Sequence, residues 1–363
     1  MIVVAGAGMA GLVAAARLRE LGGDVIVREK GTRAGGSMLL SSCVIWRHTA
    51  WEDFRRECPN GDSRLQRLIW ERLDDALDWL ESLGASVVWR ETGNPRTTGK
   101  RFEPRELTGV LAAHAGKIEL GAGELGEEEA ILCTGGFAAS SELVTRYIAP
   151  AASLRLRASP WSEGDGLRFA LDRGAALSVG LGEFYGRNMP DAAWDETQLV
   201  SLSQLYGRFA RVFDEDGVEF FEGSQVSWSE TNIVQATAQR RNAKAYYVLD
   251  GEALRQAVRD RTVADIVASA PVEAQVALDD LPFDPPSGAV TAVRVIASIT
   301  HTIGGLQVDE RARVLREDGS TIDGLWAAGV DAGGLAAGGY ASGLAQALVL
   351  GLAAAEDAGA RVC

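Results

Sequence analysis

Apolar residues fall along this chain in runs of distinct period. Ile2-Val3-Val4-Ala5 is unbroken, as is fitting for a strand buried on both faces, and 24–30 (DVIVREK) reads as a second strand. Between them a glycine-rich turn, GAGMAG, opens an Ala- and Leu-rich stretch with helical spacing, so 2–30 predicts strand, tight turn, helix, strand. Over 64–84, Leu65, Leu68, Ile69, Leu73, Leu77 and Leu80 recur every three or four positions, which predicts an amphipathic helix that serves packing. Residues 92–105 are polar with Gly and Pro and predict a surface loop. Residues 130–134 predict a short buried strand running into Gly135-Gly136, and 167–174 a helix.

From about Glu183 aromatic and β-branched residues become denser, a hairpin turn is predicted at 214–217, and 282–288 is a Pro-rich connector. A strand-like run at 290–300 then returns to glycine-rich sequence. The pattern predicts an α/β nucleotide domain that is discontinuous, formed by 1–182 and 300–363, with an α+β cap at 183–299 inserted between.

With 363 residues, 47% apolar and 24% charged, the chain is long enough for about two globular domains. The 42 glycines cluster in short motifs, which points to close approaches between backbone and ligand. A net charge of −14 without a basic stretch argues against nucleic acid or an anionic membrane as partner. It leaves an anionic small substrate open, since a local arginine pocket overrides the global field. Cys43, Cys58, Cys133 and Cys363 lack metal-like spacing and read as reduced thiols, and no metal site is expected. With no signal peptide and no apolar run of about 18 residues, a soluble cytoplasmic protein is expected.

Gly6, Gly8 and Gly11 follow a strand and open a helix, and Glu29 closes the next strand. Gly6 allows the tight turn, Gly8 lets a pyrophosphate approach the backbone, and Gly11 lets helix and strand pack closely. The helix start offers N–H groups and a positive dipole to the phosphates. Glu29 suits a ribose hydroxyl pair and disfavours a 2′-phosphate, so NADP is not expected. A glycine pair soon after Glu29, at Gly35-Gly36-Ser37, and a strand at 324–334 ending in glycines beside Asp331 favour FAD over NAD.

These elements, with CTGGF at 133–137, EGDGLRFALDRGA at 163–175, HTIGG at 301–305 and GLWAAGVDAGG at 324–334, occur in order across nearly the whole chain. Together they resemble the flavoprotein subunits of the fumarate reductase/succinate dehydrogenase superfamily, which includes the 3-ketosteroid and tricarballylate dehydrogenases. The resemblance implies a Rossmann-like FAD-binding domain with a capping domain and an active site at their junction. It carries cofactor contacts onto Gly6, Gly8, Met9, Ala10, Gly11, Glu29, Lys30, Gly36, Ser37, Ser41, Thr134, Gly135, Asp165, Gly329, Asp331, Gly343 and Leu344. Departures from the pattern are equally informative. Met38 stands where membrane-bound members attach flavin to a His, so FAD is expected to be non-covalent. Tyr340 stands where dicarboxylate reducers place a carboxylate-clamping Arg, and a phenol cannot make that bidentate pair. The usual GxRF element is missing, with 217–220 as its candidate remnant.

The expected catalytic residues are His301, Tyr340, Tyr185 and Arg187. His301 and Arg187 would hold an activating oxygen, while Tyr340 and Tyr185 compete for acid/base work. Tyr340 lies among small residues, 336–343, so its ring has no bulky local neighbour. Tyr185 and Arg187 lie where the family's chain enters the cap. His48 and His114 have no functional context, Cys133 lacks an activating base, and Trp46 and Trp51 fit either flavin stacking or packing. The expected reaction is α,β-dehydrogenation, or the reverse reduction, beside a carbonyl or carboxyl group by hydride transfer with flavin N5. The absent Arg favours a substrate with at most one carboxylate, or a neutral ketone. The alternatives are a flavin monooxygenase or amine oxidase, against which the HTIGG and GDG elements argue, and a catalytically silent flavin-binding protein. Substrate, electron partner and oligomeric state are not encoded legibly.

Overall fold

The computed structural model describes residues 1–148 and 153–361; Cys363 lies outside the described residues. The chain divides into two compact units, Met1–Leu143 with Ala158–Phe184 and His301–Cys363, and Val144–Arg157 with Tyr185–Thr300.

The first unit is built on a six-stranded sheet in the order Arg313–Leu315, Thr321–Ala327, Ala130–Leu132, Ile2–Ala5, Val25–Glu29, Ile118–Leu120. All neighbours are parallel except the edge pair formed by Arg313–Leu315 and Thr321–Ala327. Ile2–Ala5 is central, and its side chains are buried on both faces, which is why the sequence shows an unbroken apolar run there. Helix Met9–Glu20 packs against helices Pro104–Ala115 and Gly343–Gly359, and its Ala and Leu positions are buried almost all round. The return of the chain at Gly343–Gly359 therefore places the C-terminal glycine-rich segment beside the first turn.

The amphipathic helix runs from Ser63 to Ser82. The Asp62 side chain caps it by accepting from the Arg64 and Leu65 amides, and Gly84 (φ 98°) ends it. Residues 92–105 are not one surface loop. Thr97–Phe102 is the middle strand of a three-stranded antiparallel sheet between Val44–His48 and Val87–Trp89. Its glycine and polar residues concealed it, and Gly99 is required by the pairing itself. A Cβ there would stand 2.1 Å from the Ile45 carbonyl oxygen. The helix expected at 167–174 spans Asp165–Leu171.

The second unit centres on the 14-residue strand Ala289–Thr302, which pairs with Lys244–Asp250, Gln275–Val276, Arg155–Leu156 and Phe184–Pro190. Its parallel pairing with Arg155–Leu156 is what draws Val144–Arg157 into this unit. The hairpin between Arg211–Phe213 and Glu219–Phe221 is fixed by the Asp214 carboxylate, which accepts from the Asp216 and Val218 amides. Phe283, in the Pro-rich connector, stacks on Phe213 at 4.9 Å between centroids and closes the small core around Tyr246 and Val248. Among the described residues no helix is long and apolar enough to cross a membrane, and no group of His, Cys, Asp and Glu could hold a metal ion.

Candidate cofactor cradle and catalytic residues

The glycines of the first turn divide into two that the fold demands and one that it does not. Gly6 (φ 101°) lies against strand Ala130–Leu132's exit, where a Cβ would stand 2.3 Å from the Cys133 carbonyl oxygen. At Gly11 a Cβ would stand 1.9 Å from the Gly6 carbonyl oxygen. At Gly8 it would meet nothing within 4 Å, although the backbone there (φ −72°) suits any residue. Gly8 is also the N-cap of Met9–Glu20 and offers no capping side chain. Open space in front of an uncapped helix start, with Met9, Ala10 and Gly11 supplying its leading amides, fits a dinucleotide pyrophosphate.

The neighbouring segments converge on this turn. Gly35 bridges to Gly8, its amide donating to the Ala7 carbonyl at 2.7 Å, and Gly36 lies so close that a Cβ would be 3.1 Å from the Gly8 Cα. The buried Glu29 carboxylate accepts from the Ala7 amide at 2.7 Å and the Gly31 amide at 2.6 Å, which ties the end of its strand to the first turn. Lys30 is ion-paired with Glu163 and, at 2.9 Å, with Asp165, joining the second strand to the GDG element. Ser37 accepts from the Ser159 amide, whereas Ser41 stays within its own turn, donating to the Met38 carbonyl.

Asp331 is buried, and its carboxylate accepts from the Thr134 amide, the Thr134 hydroxyl at 3.0 Å and the Gly136 amide at 3.0 Å. Burial raises its pKa, opposed by these donors. The side chain thus ties two glycine-rich turns together. Gly135 (φ 89°) is in left-handed geometry next to Ser162. Gly329 (φ 65°) lies against Ala10, with 3.0 Å between a Cβ built there and the Ala10 Cβ, and its carbonyl accepts from Gln346 at 2.7 Å. Gly343 and Leu344 begin the C-terminal helix, whose N-cap Ser342 accepts from the Ala345 amide.

Of the four expected catalytic residues, His301 and Tyr340 belong to the first unit and Tyr185 and Arg187 to the second. The half-buried His301 ring lies over Gly343, where a Cβ would be 3.1 Å from Cε1. Desolvation pushes its pKa down to about 4, so the imidazole is neutral at pH 7. Tyr340 does have a bulky neighbour, supplied from far away in sequence: its ring stands 5.3 Å from that of Trp46. Beside it, Gly339 is small because backbone meets backbone, since a Cβ there would stand 1.7 Å from the Glu57 carbonyl oxygen. In the second unit the Arg187 guanidinium donates to the Ser229 carbonyl and lies 4.9 Å over the Tyr185 ring.

Sequence reasoning missed the support beneath Tyr340. His48 is buried against Trp46 and Phe54, and its Nε2 is 3.4 Å from the Tyr340 carbonyl oxygen. Alternation along Val44–His48, which puts Trp46 and His48 on one face, was the available signal. Trp51 instead packs under Arg67 at 4.1 Å and beside Trp70. Cys133 is buried, with its thiol pKa raised well above the ordinary value by desolvation, so it is unreactive.

The chain matches the FAD binding domain family over residues 1–121 and 103–344. A probable fumarate reductase of Shewanella frigidimarina is 23% identical to it over 411 residues, covering 90% of this chain and 69% of that protein. Among solved structures, the open conformation of a flavocytochrome c3 fumarate reductase superposes with a TM-score of 0.73 at 21% identity, over 99% of this chain and 78% of that one. The 3-ketosteroid delta1-dehydrogenase of Sterolibacterium denitrificans, in complex with 1,4-androstadiene-3,17-dione, gives 0.75 at 15% identity over 99% of both chains. The chain belongs to the FAD binding domain family and is a flavoprotein with the fold shared by fumarate reductases and 3-ketosteroid dehydrogenases.

Proposed function

We propose that the protein introduces or reduces a carbon–carbon double bond next to a carbonyl or carboxyl group. Bound FAD supplies the hydride acceptor or donor. The first unit holds it through the Gly8 turn, Glu29 and the start of the Gly343–Gly359 helix. Met38, 2% exposed, offers no imidazole, thiol or phenol for a flavin bond, so the cofactor is held non-covalently.

The observation that carries the catalytic reading is His301, neutral and stacked on Gly343 within three residues of Tyr340. A base with a pKa of about 4 is a poor proton carrier at pH 7, but its N–H polarises an oxygen without adding charge. The proton at the neighbouring carbon then falls to the Tyr340 phenol of the same unit. With Tyr340 in place of an arginine clamp, the substrate class is a ketone or a monocarboxylate.

The test begins with purified protein, which should be yellow and release intact FAD on acid denaturation. Photoreduced protein is then mixed anaerobically with cyclohexenone, crotonate and fumarate. Reoxidation by cyclohexenone or crotonate, with fumarate much slower, supports the reading. A bound flavin that none of them reoxidises indicates a silent flavin-binding protein, and preferred reoxidation by fumarate refutes the assigned substrate class.

A further inference from the structure

Asp191 follows strand Phe184–Pro190 directly, and its amide donates to the Arg294 carbonyl at 2.9 Å, so it lies beside the long strand Ala289–Thr302. Its side chain is 4% exposed and is ringed by cations from three strands of the second unit. Lys244 Nζ is 2.7 Å and Arg294 Nε 2.8 Å from Oδ2, while Arg155 Nη2 is 3.3 Å from Oδ1. Burial pushes the Asp191 pKa up, but Lys244 and Arg294 outweigh it and hold the carboxyl below its ordinary range. The acid is therefore ionised at neutral pH, and its one charge is already spent.

Three cations thus share one carboxylate, an excess of two positive charges in a chain whose net charge is −14. Among the described residues none of the three pairs with another acid. Glu273 comes close enough for its carbonyl to accept from Arg294 at 3.4 Å, yet its carboxylate makes no ion pair there. Arg155 Nη1 likewise donates to a backbone carbonyl, that of Ala192. Arg294 Nη1, Arg155 Nε and the remaining N–H groups of Lys244 are left without a partner among the described residues, on side chains 28–39% exposed. Like charges held this close repel, and stability alone would be better served by a second acid in the gap.

We propose that this cluster is a binding site for a phosphate group, free or carried on a small molecule. A dianion cancels the excess charge. All three cations reach the same carboxylate, so an anion that they share must gather its charge on one centre. A tetrahedral oxyanion does so and offers several acceptor oxygens to the unused N–H groups, whereas a dicarboxylate spreads its charges over separate carbons. Asp191 is buried and the cations are partly open to solvent, so the ligand lies over Asp191 and does not replace it.

The test titrates inorganic phosphate, glycerol 3-phosphate and sodium chloride into the FAD-loaded protein at constant ionic strength. The readouts are melting temperature and the arginine Nε–H signals by NMR, assigned with Arg155→Gln and Arg294→Gln. Both phosphates should raise the melting temperature saturably and shift the Arg155 and Arg294 signals together. Tighter binding of inorganic phosphate supports a free anion as the ligand, and tighter binding of the ester supports a phosphorylated metabolite. Lys244→Gln should weaken phosphate about tenfold through loss of a charged hydrogen bond. Lys117→Gln, which removes an exposed cation of the first unit, should leave it unchanged. Asp191→Asn covers the case in which Lys244→Gln does not fold, because it keeps the shape and frees a third charge. It should melt lower than wild type in chloride, bind phosphate more tightly, and recover part of the lost stability when phosphate is added. A network that serves structure alone predicts a loss that phosphate does not repair. Phosphate that does no more than chloride in wild type overturns the proposal, as does phosphate binding that survives Lys244→Gln undiminished.

Discussion

The Asp331 carboxylate accepts from the Thr134 hydroxyl at 3.0 Å across 197 positions of sequence, and the same hydroxyl accepts from the Gly166 amide at 3.1 Å. One side chain thereby joins the ends of two parallel strands to the start of the GDG helix. Every group facing Asp331 is a donor, so an amide in its place must point an NH2 at an N–H or O–H whichever way it turns. Asp331→Asn should cost about 2–4 kcal/mol, the sum of an unsatisfied donor and a lost charged bond. Urea unfolding of the apoprotein should show that loss without FAD present. A wild-type midpoint would mean that Asp331 is not the fastener described here.

Legibility followed the locality of the cause. The Gly6–Gly11 turn, the strand at Ile2–Ala5 and the helix Ser63–Ser82 are set by neighbours a few residues apart, and their patterns show it. Strand Thr97–Phe102 was hidden because its glycine is dictated by Ile45 on another strand. The surroundings of Tyr340 were hidden for the same reason: Trp46 and His48 reach it from nearly 300 residues away. Asp331 was legible as an acid beside a glycine turn, but its partners Thr134 and Gly136 were not, because side-chain hydrogen bonds leave no period in sequence. Glu230, buried in left-handed geometry (φ 56°) at the head of helix Thr231–Ala238, left no signal at all, since such a glutamate is unremarkable in a row of letters.

The two kinds of glycine in the first turn should separate by experiment. Gly8→Ala and Gly8→Val meet open space and an ordinary backbone, so the apoprotein should melt within about 1 kcal/mol of wild type. Both should purify colourless, because the side chain fills the place of the pyrophosphate. Gly11→Leu forces a Cβ against the Gly6 carbonyl and should lose at least about 3 kcal/mol as well as FAD. Stoichiometric flavin in Gly8→Val would place the cofactor elsewhere.

Tyr340 offers a test of chemistry against packing. Its ring, tilted 54° to Trp46, remains in Tyr340→Phe, so FAD content and melting temperature should stay near wild type. Turnover should fall by about 10²–10⁴ if the phenol moves the proton. Trp46→Leu removes the ring's support and should lower turnover through a misplaced hydroxyl, with a smaller loss when combined with Tyr340→Phe than the two single effects predict. Full activity of Tyr340→Phe would show the Tyr340 hydroxyl to be a bystander.

Glu230 makes a prediction about stability that does not depend on any substrate. Its folded pKa is raised to about 7 from an ordinary 4.5, chiefly by burial, so the folded protein binds a proton that the unfolded chain has released. Below about pH 4.5 both states are protonated and Glu230 costs nothing on this account. As pH rises from 4.5 to 7 the unfolded chain gains the advantage of an ionised, hydrated carboxylate, and stability falls. Above 7 the folded state ionises too, and the deficit reaches its limit, up to about 3 kcal/mol for a shift of this size. Glu230→Gln keeps the shape and removes the titration. The variant should therefore melt close to wild type at pH 4.5 and above it at pH 8, with the difference opening between those values. His301 acts in the opposite sense: its depressed pKa makes the protein lose stability as pH falls below about 6.5, in wild type and Glu230→Gln alike. The difference between the two melting curves cancels that background and isolates Glu230. A difference that is constant with pH would mean that Glu230 ionises in the folded protein as it does in water, and that the left-handed turn buries it for shape alone.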